Sequence, residues 1–347
     1  MQENNLSFPE KKPVIGLSIG DFNGIGPEII LKTLSQPYIL KVCTPVVYAP
    51  LKVLNHYRKL LNLKEIMFQL LNHPRQVNPK KVNLVNLLPN QSFEVQPGQV
   101  SPEAGLVARE SLKALVQDLK DNILDGVVTA PINKSNIQSD DFRFPGHTEY
   151  FTEAFGQTQS LMLLVAEDLR VSVATGHIPL SEVSQRLTRE WVQTKAQILL
   201  NSLENDFGIQ KPKVAVLGLN PHAGEEGLLG DEEQQIIRPI VLEMKKKGQL
   251  LFGPFPADGF FGTGDFKKFD GILAMYHDQG LIPFKTLAFD LGVNFTAGLP
   301  IVRTSPDHGT AYSIAGKGIA EESSFREAIL LACKIVENRM PVLREEA

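Results

Sequence analysis

The feature that most constrains this chain is a repeated junction, in which a short aliphatic run breaks straight into a polar turn. It occurs at Gly126–Thr129 before Ala-Pro-Ile-Asn-Lys134, and at Val173-Ala-Thr175 before Gly-His177-Ile-Pro. It recurs at Val216-Leu-Gly218 before Leu-Asn-Pro-His222-Ala-Gly, and at Leu273-Ala-Met275 before Tyr-His277-Asp-Gln-Gly. Aliphatic runs this short, alternating with longer helical patterns, predict an α/β fold around a largely buried sheet. The expected strands are Val14–Ile19, Val46–Tyr48, Gly126–Thr129, Leu161–Val165, Val171–Ala174, Val214–Leu217 and Gly271–Met275. In open α/β sheets ligands bind beyond the carboxyl ends of strands, so the four turns are expected to face one cleft.

Helix boundaries are marked as clearly. Ser101-Pro102-Glu103 supplies an N-cap, an N1 proline and an early acid before a long pattern through Lys120. Thr188-Arg189-Glu190 does the same before Trp191, with Gly208 as the stop, and a last helix is expected from about Phe325 to Arg339. At 347 residues the chain exceeds what one core usually organises, which predicts two domains, with a chain that can cross between them more than once.

Composition removes several classes of function. The net charge is −4 and no basic block is longer than Lys245–Lys247, so there is no electrostatic footprint for nucleic acid. Cys43 and Cys333 are the only cysteines, too few for a disulfide framework and wrongly spaced for a thiolate metal site. The first twelve residues, MQENNLSFPEKK, lack the order of a signal peptide, and apolar runs fall far short of the roughly 18 residues of a membrane span. A cytoplasmic protein without membrane contact is expected.

Three of the four junctions present a histidine. Of the seven histidines only His56 and His73 lie outside Gly- or Pro-rich turns. Any one could be a capping or core residue, but three imidazoles after three strands point to a catalytic metal site with an open position. Gly146-His147-Thr148-Glu149 reads as a helix N-terminus capped by Thr148, which is also a good binder of anions or hydroxyls. Lys285, Asn294 and Arg303 follow at intervals of nine in an otherwise apolar or Gly/Pro-rich stretch. They form a candidate clamp for phosphate or carboxylate, against the alternative that the basic chains merely snorkel to water. Gly20-Asp-Phe-Asn-Gly24-Ile-Gly26-Pro27-Glu28 suggests a dinucleotide fingerprint, but its spacing is G-x-x-x-G-x-G and an acid opens the helix. Close backbone packing is the better reading of that turn, with Asp21 as its facing side chain.

Eight segments in order resemble the 4-hydroxythreonine-4-phosphate dehydrogenase family of pyridoxal phosphate biosynthesis. They are GDFNGIGPEI, VVTAPINK, FPGHTEYF, TGHIPL, GLNPHAGEEGLLGDEE, GPFPADGFF, MYHDQGLIPFK and GVNFTAGLPIVRTSPDHGTAYSIAGKGIA, and the resemblance extends from about Gly16 to Ala320. Phe22-Asn23 stands where that family commonly has Pro-Ala. The resemblance implies two α/β/α domains of the isocitrate/isopropylmalate dehydrogenase kind with the active site in the interdomain cleft. The first would span residues 1–135 plus about 300–347 and carry the nucleotide loop; the second, about 136–299, would carry the metal ligands and a homodimer interface. It further implies a divalent metal (Zn, Co, Mg or Mn) on His177, His222 and His277. In a site shared between subunits, one would give His177 and the other His222 and His277. Substrate contacts would come from His147, Thr148, Lys285, Asn294 and Arg303. The stretch Asp307-His308-Gly309-Thr310-Ala311 with Gly316-Lys317-Gly318 looks like the adenosine loop of those dehydrogenases, so His308, Gly309, Thr310 and Gly316 would bind NAD or NADP.

The activity so implied is NAD(P)-dependent oxidation of 4-phosphohydroxy-L-threonine to a β-keto acid that decarboxylates to 3-amino-2-oxopropyl phosphate. Lys285 and Asp258, in Pro256-Ala-Asp258-Gly259, are the candidate catalytic groups, although Asp258 also suits a plain Asp-Gly turn. Oxidation of 4-phospho-D-threonate or 4-phospho-D-erythronate is the nearest alternative. A metal-dependent hydrolase could use the same histidines but has no use for a nucleotide loop.

Overall fold

The computed structural model describes residues 12–340; the polar N-terminal segment, up to Lys11, lies outside the described residues. The elements run Val14–Ser18 (β1), Gly26–Leu34 (α1), Ile39–Val42 (α2), Thr44–Ala49 (β2), Leu51–Leu60 (α3), Phe68–Leu70 (β3) and Val82–Asn86 (β4). Then come Pro102–Lys120 (α4), Gly126–Thr129 (β5), His147–Ala154 (α5), Leu161–Ala166 (β6), Leu169–Val173 (β7), Val183–Arg186 (α6), Arg189–Asn205 (α7) and Lys213–Leu217 (β8). Arg238–Lys246 (α8), Leu250–Phe255 (β9), Ala257–Gly262 (α9), Gly271–Ala274 (β10), His277–Ala288 (α10), Val293–Ala297 (β11), Val302–Pro306 (β12) and Ser323–Arg339 (α11) complete the chain. No helix among the described residues is long and apolar enough to cross a membrane.

The fold divides into two compact units. Among the described residues, the first holds residues 12–154 together with Ile301–Glu337, and the second holds Phe155–Pro300 with residues 338–340. In this division His147 and Thr148 belong to the first unit. In that unit the strand order is β3-β4-β2-β1-β5-β12, with every pairing parallel. Ser101 caps α4 as expected, its Oγ accepting from the Ala104 N–H at 3.2 Å, and α4 packs on β1 and β2.

The second unit orders its strands β11-β6-β7-β10-β8-β9. β7, β10, β8 and β9 are parallel, whereas β6 is antiparallel to β7 and β11 to β6. Two glycines let helices close on opposite faces. A Cβ on Gly271 would meet Leu203 of α7 at 2.8 Å, and one on Gly280 of α10 would meet Val173 at 3.0 Å and Ala274 at 3.2 Å. Since Gly271 and Ala274 point to opposite sides of β10, α7 and α10 sandwich the sheet. On the α10 side the core is Leu164, Val171, Val173, Ala215, Leu217, Ile272, Ala274 and Phe284, all buried. Thr188 caps α7 through the Trp191 N–H at 3.2 Å.

Candidate active site

Three parallel neighbours, β7, β10 and β8, end at one edge of the second unit, and the turns bearing His177, His277 and His222 leave from that edge. Thr175 stitches two of the ends together. Its N–H donates to the Met275 carbonyl at 3.2 Å and its Oγ1 donates to the same oxygen at 2.7 Å. Gln279 ties in the third, accepting from the Met275 N–H at 2.7 Å and donating to the Gly218 carbonyl at 2.6 Å. His177 and His277 consequently lie ring to ring, with centroids 5.3 Å apart and planes inclined by 44°. His277 Nδ1 is 2.7 Å from the Asp278 carboxylate, which selects the Nδ1–H tautomer and leaves the lone pair on Nε2.

His222 is presented differently. It stands in a run of five residues with left-handed backbone: His222 (φ 53°), Ala223 (51°), Gly224 (84°), Glu225 (44°) and Glu226 (53°). For a non-glycine residue that conformation costs roughly 1–2 kcal/mol, so something must hold the run in place. The neighbouring contacts are to Asn220. Its N–H donates to Glu233 Oε1 at 2.7 Å, and its amide Nδ2 donates to Glu233 Oε2 at 3.0 Å and to Glu232 Oε2 at 2.7 Å. Glu233 is only 1% exposed and opens a single π-helical turn, Glu233–Ile237. Thus the chain brings His177 and His277 together, while among the described residues no group of three His, Cys, Asp or Glu side chains is placed to hold a metal ion. The expected partition put His277 with His222 in one subunit; within this chain it is His177 that lies beside His277.

The remaining second-unit candidates lie on regular elements. Lys285 is on α10, two turns beyond His277, and is half-buried. Asn294 is on β11, its Oδ1 enclosed without a hydrogen-bond partner among the described residues. Asp258 is exposed in the first turn of α9 rather than in a simple Asp-Gly turn.

In the first unit, the alternation along β12 separates two roles. Thr304 turns to α11, where its Oγ1 donates to the Ala328 carbonyl at 2.7 Å, and Arg303 turns to the other face. There the guanidinium, 2% exposed, donates to Thr129 Oγ1 through Nη2 at 2.7 Å and Nε at 3.2 Å. Burial pushes the Arg303 pKa down to about 10, with Glu149 pulling it back up. His147 begins α5, so Thr148 falls within the first turn instead of capping it. The His147 Nε2 is enclosed and has no hydrogen-bond partner among the described residues. Burial, then the Arg303 and Lys134 charges, hold its pKa well below the ordinary value, so this ring is a neutral imidazole beside two cations. A neutral donor and fixed positive charges suit an anion such as a phosphate ester.

The N-terminal glycine turn is filled by the chain itself. The Ile25 N–H donates to the Thr310 carbonyl at 2.9 Å, and a Cβ on Gly24 would sit 2.8 Å from that oxygen. Close backbone packing, as expected, thus occupies the place where a pyrophosphate would lie. Asp21 is fully buried and accepts from Asn136 Nδ2 at 2.7 Å and Tyr312 Oη at 2.8 Å. Asn23 accepts from the Gln96 N–H at 2.9 Å and donates to Ser101 Oγ at 3.3 Å. Within the stretch from His308 to Thr310, Gly309 is exposed, and a Cβ there would touch nothing within 4 Å among the described residues.

A family model described as pyridoxal phosphate biosynthetic protein PdxA matches residues 41–332. A 4-hydroxythreonine-4-phosphate dehydrogenase of Bacteroides thetaiotaomicron is 49% identical over 339 residues, covering 97% of this chain and 92% of the relative. The chain belongs to the PdxA family. The crystal structure of a 4-hydroxythreonine-4-phosphate dehydrogenase from Klebsiella pneumoniae shares the PdxA fold with it at 35% identity and a TM-score of 0.82, covering 94% of this chain and 98% of that one. A relative of the same name from Sulfurihydrogenibium is 39% identical over 322 residues, covering 92% of this chain and 97% of the relative. Four further residues of this PdxA chain belong beside the predicted ones: Thr129 under Arg303, Lys134 near His147, Asp278 on His277 and Glu233 beneath the His222 turn. Only Asp278 carried a usable signal, since an acid next to a histidine is a common partner for its second nitrogen.

Proposed function

We propose that this chain is an NAD(P)-dependent, divalent-metal-dependent dehydrogenase that oxidises 4-phosphohydroxy-L-threonine, working as a cytoplasmic homodimer. The observation that carries the reading is the His177–His277 pair with Asp278 on its Nδ1, in a chain whose relatives bear the name of that activity. Two imidazoles, one with its tautomer fixed by a carboxylate, suit Zn2+, Co2+ or Ni2+ better than the oxygen-seeking Mg2+. In this reading His177 and His277 of one subunit hold the cation together with His222 of the other. His308, Gly309, Thr310 and Gly316 hold the nucleotide.

When bound, the cation would supply positive charge at the substrate's secondary hydroxyl, and NAD(P)+ would supply the hydride acceptor. The chain's own groups do the rest. Arg303 and the neutral His147 bind the phosphate with Thr148, and their fixed positions hold the substrate in one orientation. Lys285 and Asn294 provide further polar contacts, and Asp258, exposed at the start of α9, handles the proton or the substrate amine. The product of oxidation is a β-keto acid, which loses CO2 because the carbanion left behind delocalises into the ketone, giving 3-amino-2-oxopropyl phosphate.

The test is a panel of phosphorylated four-carbon hydroxy acids, with NAD+ and NADP+ reduction followed spectrophotometrically. The expected result is fastest turnover of 4-phosphohydroxy-L-threonine, abolished by a chelator and restored by added metal. Faster turnover of 4-phospho-D-threonate or 4-phospho-D-erythronate would move the substrate assignment, and activity that survives exhaustive chelation would remove the metal from it.

A further inference from the structure

We infer that Glu233 is the positioning residue for His222: its buried carboxylate clamps the left-handed turn that carries the histidine, and so sets how tightly a divalent cation is held. The inference rests on the reading of His222 as a metal ligand. Its own support is geometric. The ring of His222 is exposed, so its direction is set by the backbone rather than by packing. That backbone is left-handed over five consecutive residues, four of them not glycine, a conformation the residues do not adopt unaided.

Glu233 meets this turn from several sides. Oε1 accepts the Asn220 N–H at 2.7 Å, immediately before Pro221 opens the turn. Oε2 accepts from the Asn220 amide at 3.0 Å. The middle of the run lies against the same carboxylate, because a Cβ on buried Gly224 would be 2.6 Å from Oε2. On the strand side, a Cβ on Gly218 would lie 3.1 Å from Oε1 and 2.9 Å from the Cα of Ala223. One carboxylate thus touches the entry, the crook and the supporting strand end, and the space around it is glycine at two positions.

Both Asn220 groups are donors, so the clamp needs two acceptors. A glutamine at this position offers only one and turns an N–H2 towards a donor. Glu233→Gln therefore keeps the size of the side chain and breaks the clamp. Gly224→Ala attacks the same contact from the turn, by steric crowding and by a φ of +84° that alanine disfavours.

The experiment is a Co2+ titration of the full-length, metal-free protein, read by the visible d–d absorption of the bound ion. Melting temperature and amide exchange at Asn220 are measured on the metal-free proteins. Glu233→Gln and Gly224→Ala should each weaken Co2+ binding at least tenfold and alter the absorption band, and Glu233→Gln should speed exchange of the Asn220 amide. Should Glu233→Gln fail to fold, Gly224→Ala decides by the same readout. A lower melting temperature with unchanged Co2+ affinity and spectrum would make Glu233 merely structural and overturn the inference. His222→Ala is the control. If it loses Co2+ affinity while the other two variants bind like the parent, only the positioning role fails; if it binds like the parent, the metal assignment of His222 fails as well.

Discussion

The pairing of His177 with His277 on one chain makes a quantitative prediction about mixed dimers. Prepare inactive His177→Ala, His222→Ala and His277→Ala proteins, dissociate them, and reassociate them in pairs. With His177 and His277 contributed by one subunit and His222 by the other, a His177→Ala/His222→Ala heterodimer has one doubly damaged site and one intact site. Random pairing makes half the dimers mixed, so about a quarter of all sites regain activity. The His177→Ala/His277→Ala mixture behaves differently. Ring centroids 5.3 Å apart put both histidines in the same site, so each site of each dimer keeps one defect and recovery is zero. The assay is NAD(P)+ reduction after mass measurement has shown that subunits have exchanged. Recovery in the His177→Ala/His277→Ala mixture would refute the pairing, and no recovery in either mixture would refute a site shared between subunits.

Two further outcomes follow from the first unit and from α10. Arg303→Ala and Lys285→Ala should each lower kcat/KM by about 2 kcal/mol or more, the loss of a charge-assisted contact; Lys285→Ala should keep its melting temperature, whereas Arg303→Ala, which removes a buried side chain bonded to Thr129, should not. Parental kcat/KM in either variant would exclude that residue from the clamp. For His147 the folded pKa lies below the ordinary value, so on acidification the unfolded chain takes up the proton first. Stability is then lost as pH falls from about 6.5 towards the folded pKa, at up to about 1.4 kcal/mol per pH unit. Urea titrations across this range should show a shallower loss for His147→Gln, and equal slopes would contradict a ring kept neutral.

The elements that could be read from the sequence are those with local chemistry. Ser101 and Thr188 announce their helices because a cap is a contact within three residues. β5 and β10 announce themselves because both their faces are apolar. β12 escaped that reading although all five of its residues are buried, since Val302-Arg303-Thr304-Ser305-Pro306 is mostly polar and its polar groups are answered from α11 and Thr129. Arg303 was therefore recognised as a binding group but not as a strand residue. The antiparallel turn of β6 into β7, at Glu167-Asp168, joins two aliphatic runs that look no different from parallel ones. Within the site, the histidines were legible from their turns. Glu233 was not, because its partner Asn220 is thirteen residues away across a backbone conformation that no sequence pattern advertises.

The way the N-terminal glycine turn is filled has a consequence for synthesis on the ribosome. α1 emerges early, yet its Ile25 N–H is answered by Thr310, its buried Glu28 by the Ala320 N–H, and Lys32 by the carbonyls of Gly318 and Ala320. β5 likewise waits for β12 as its second neighbour. The strands of the second unit, by contrast, all come from the uninterrupted stretch Phe155–Pro300. A chain halted after Pro300 thus holds every strand of the inserted unit and an unfinished first unit, with one edge of β5 open to pairing with other chains. Folding of the first unit is completed from its far end, and a nascent chain halted before β12 leaves that edge exposed.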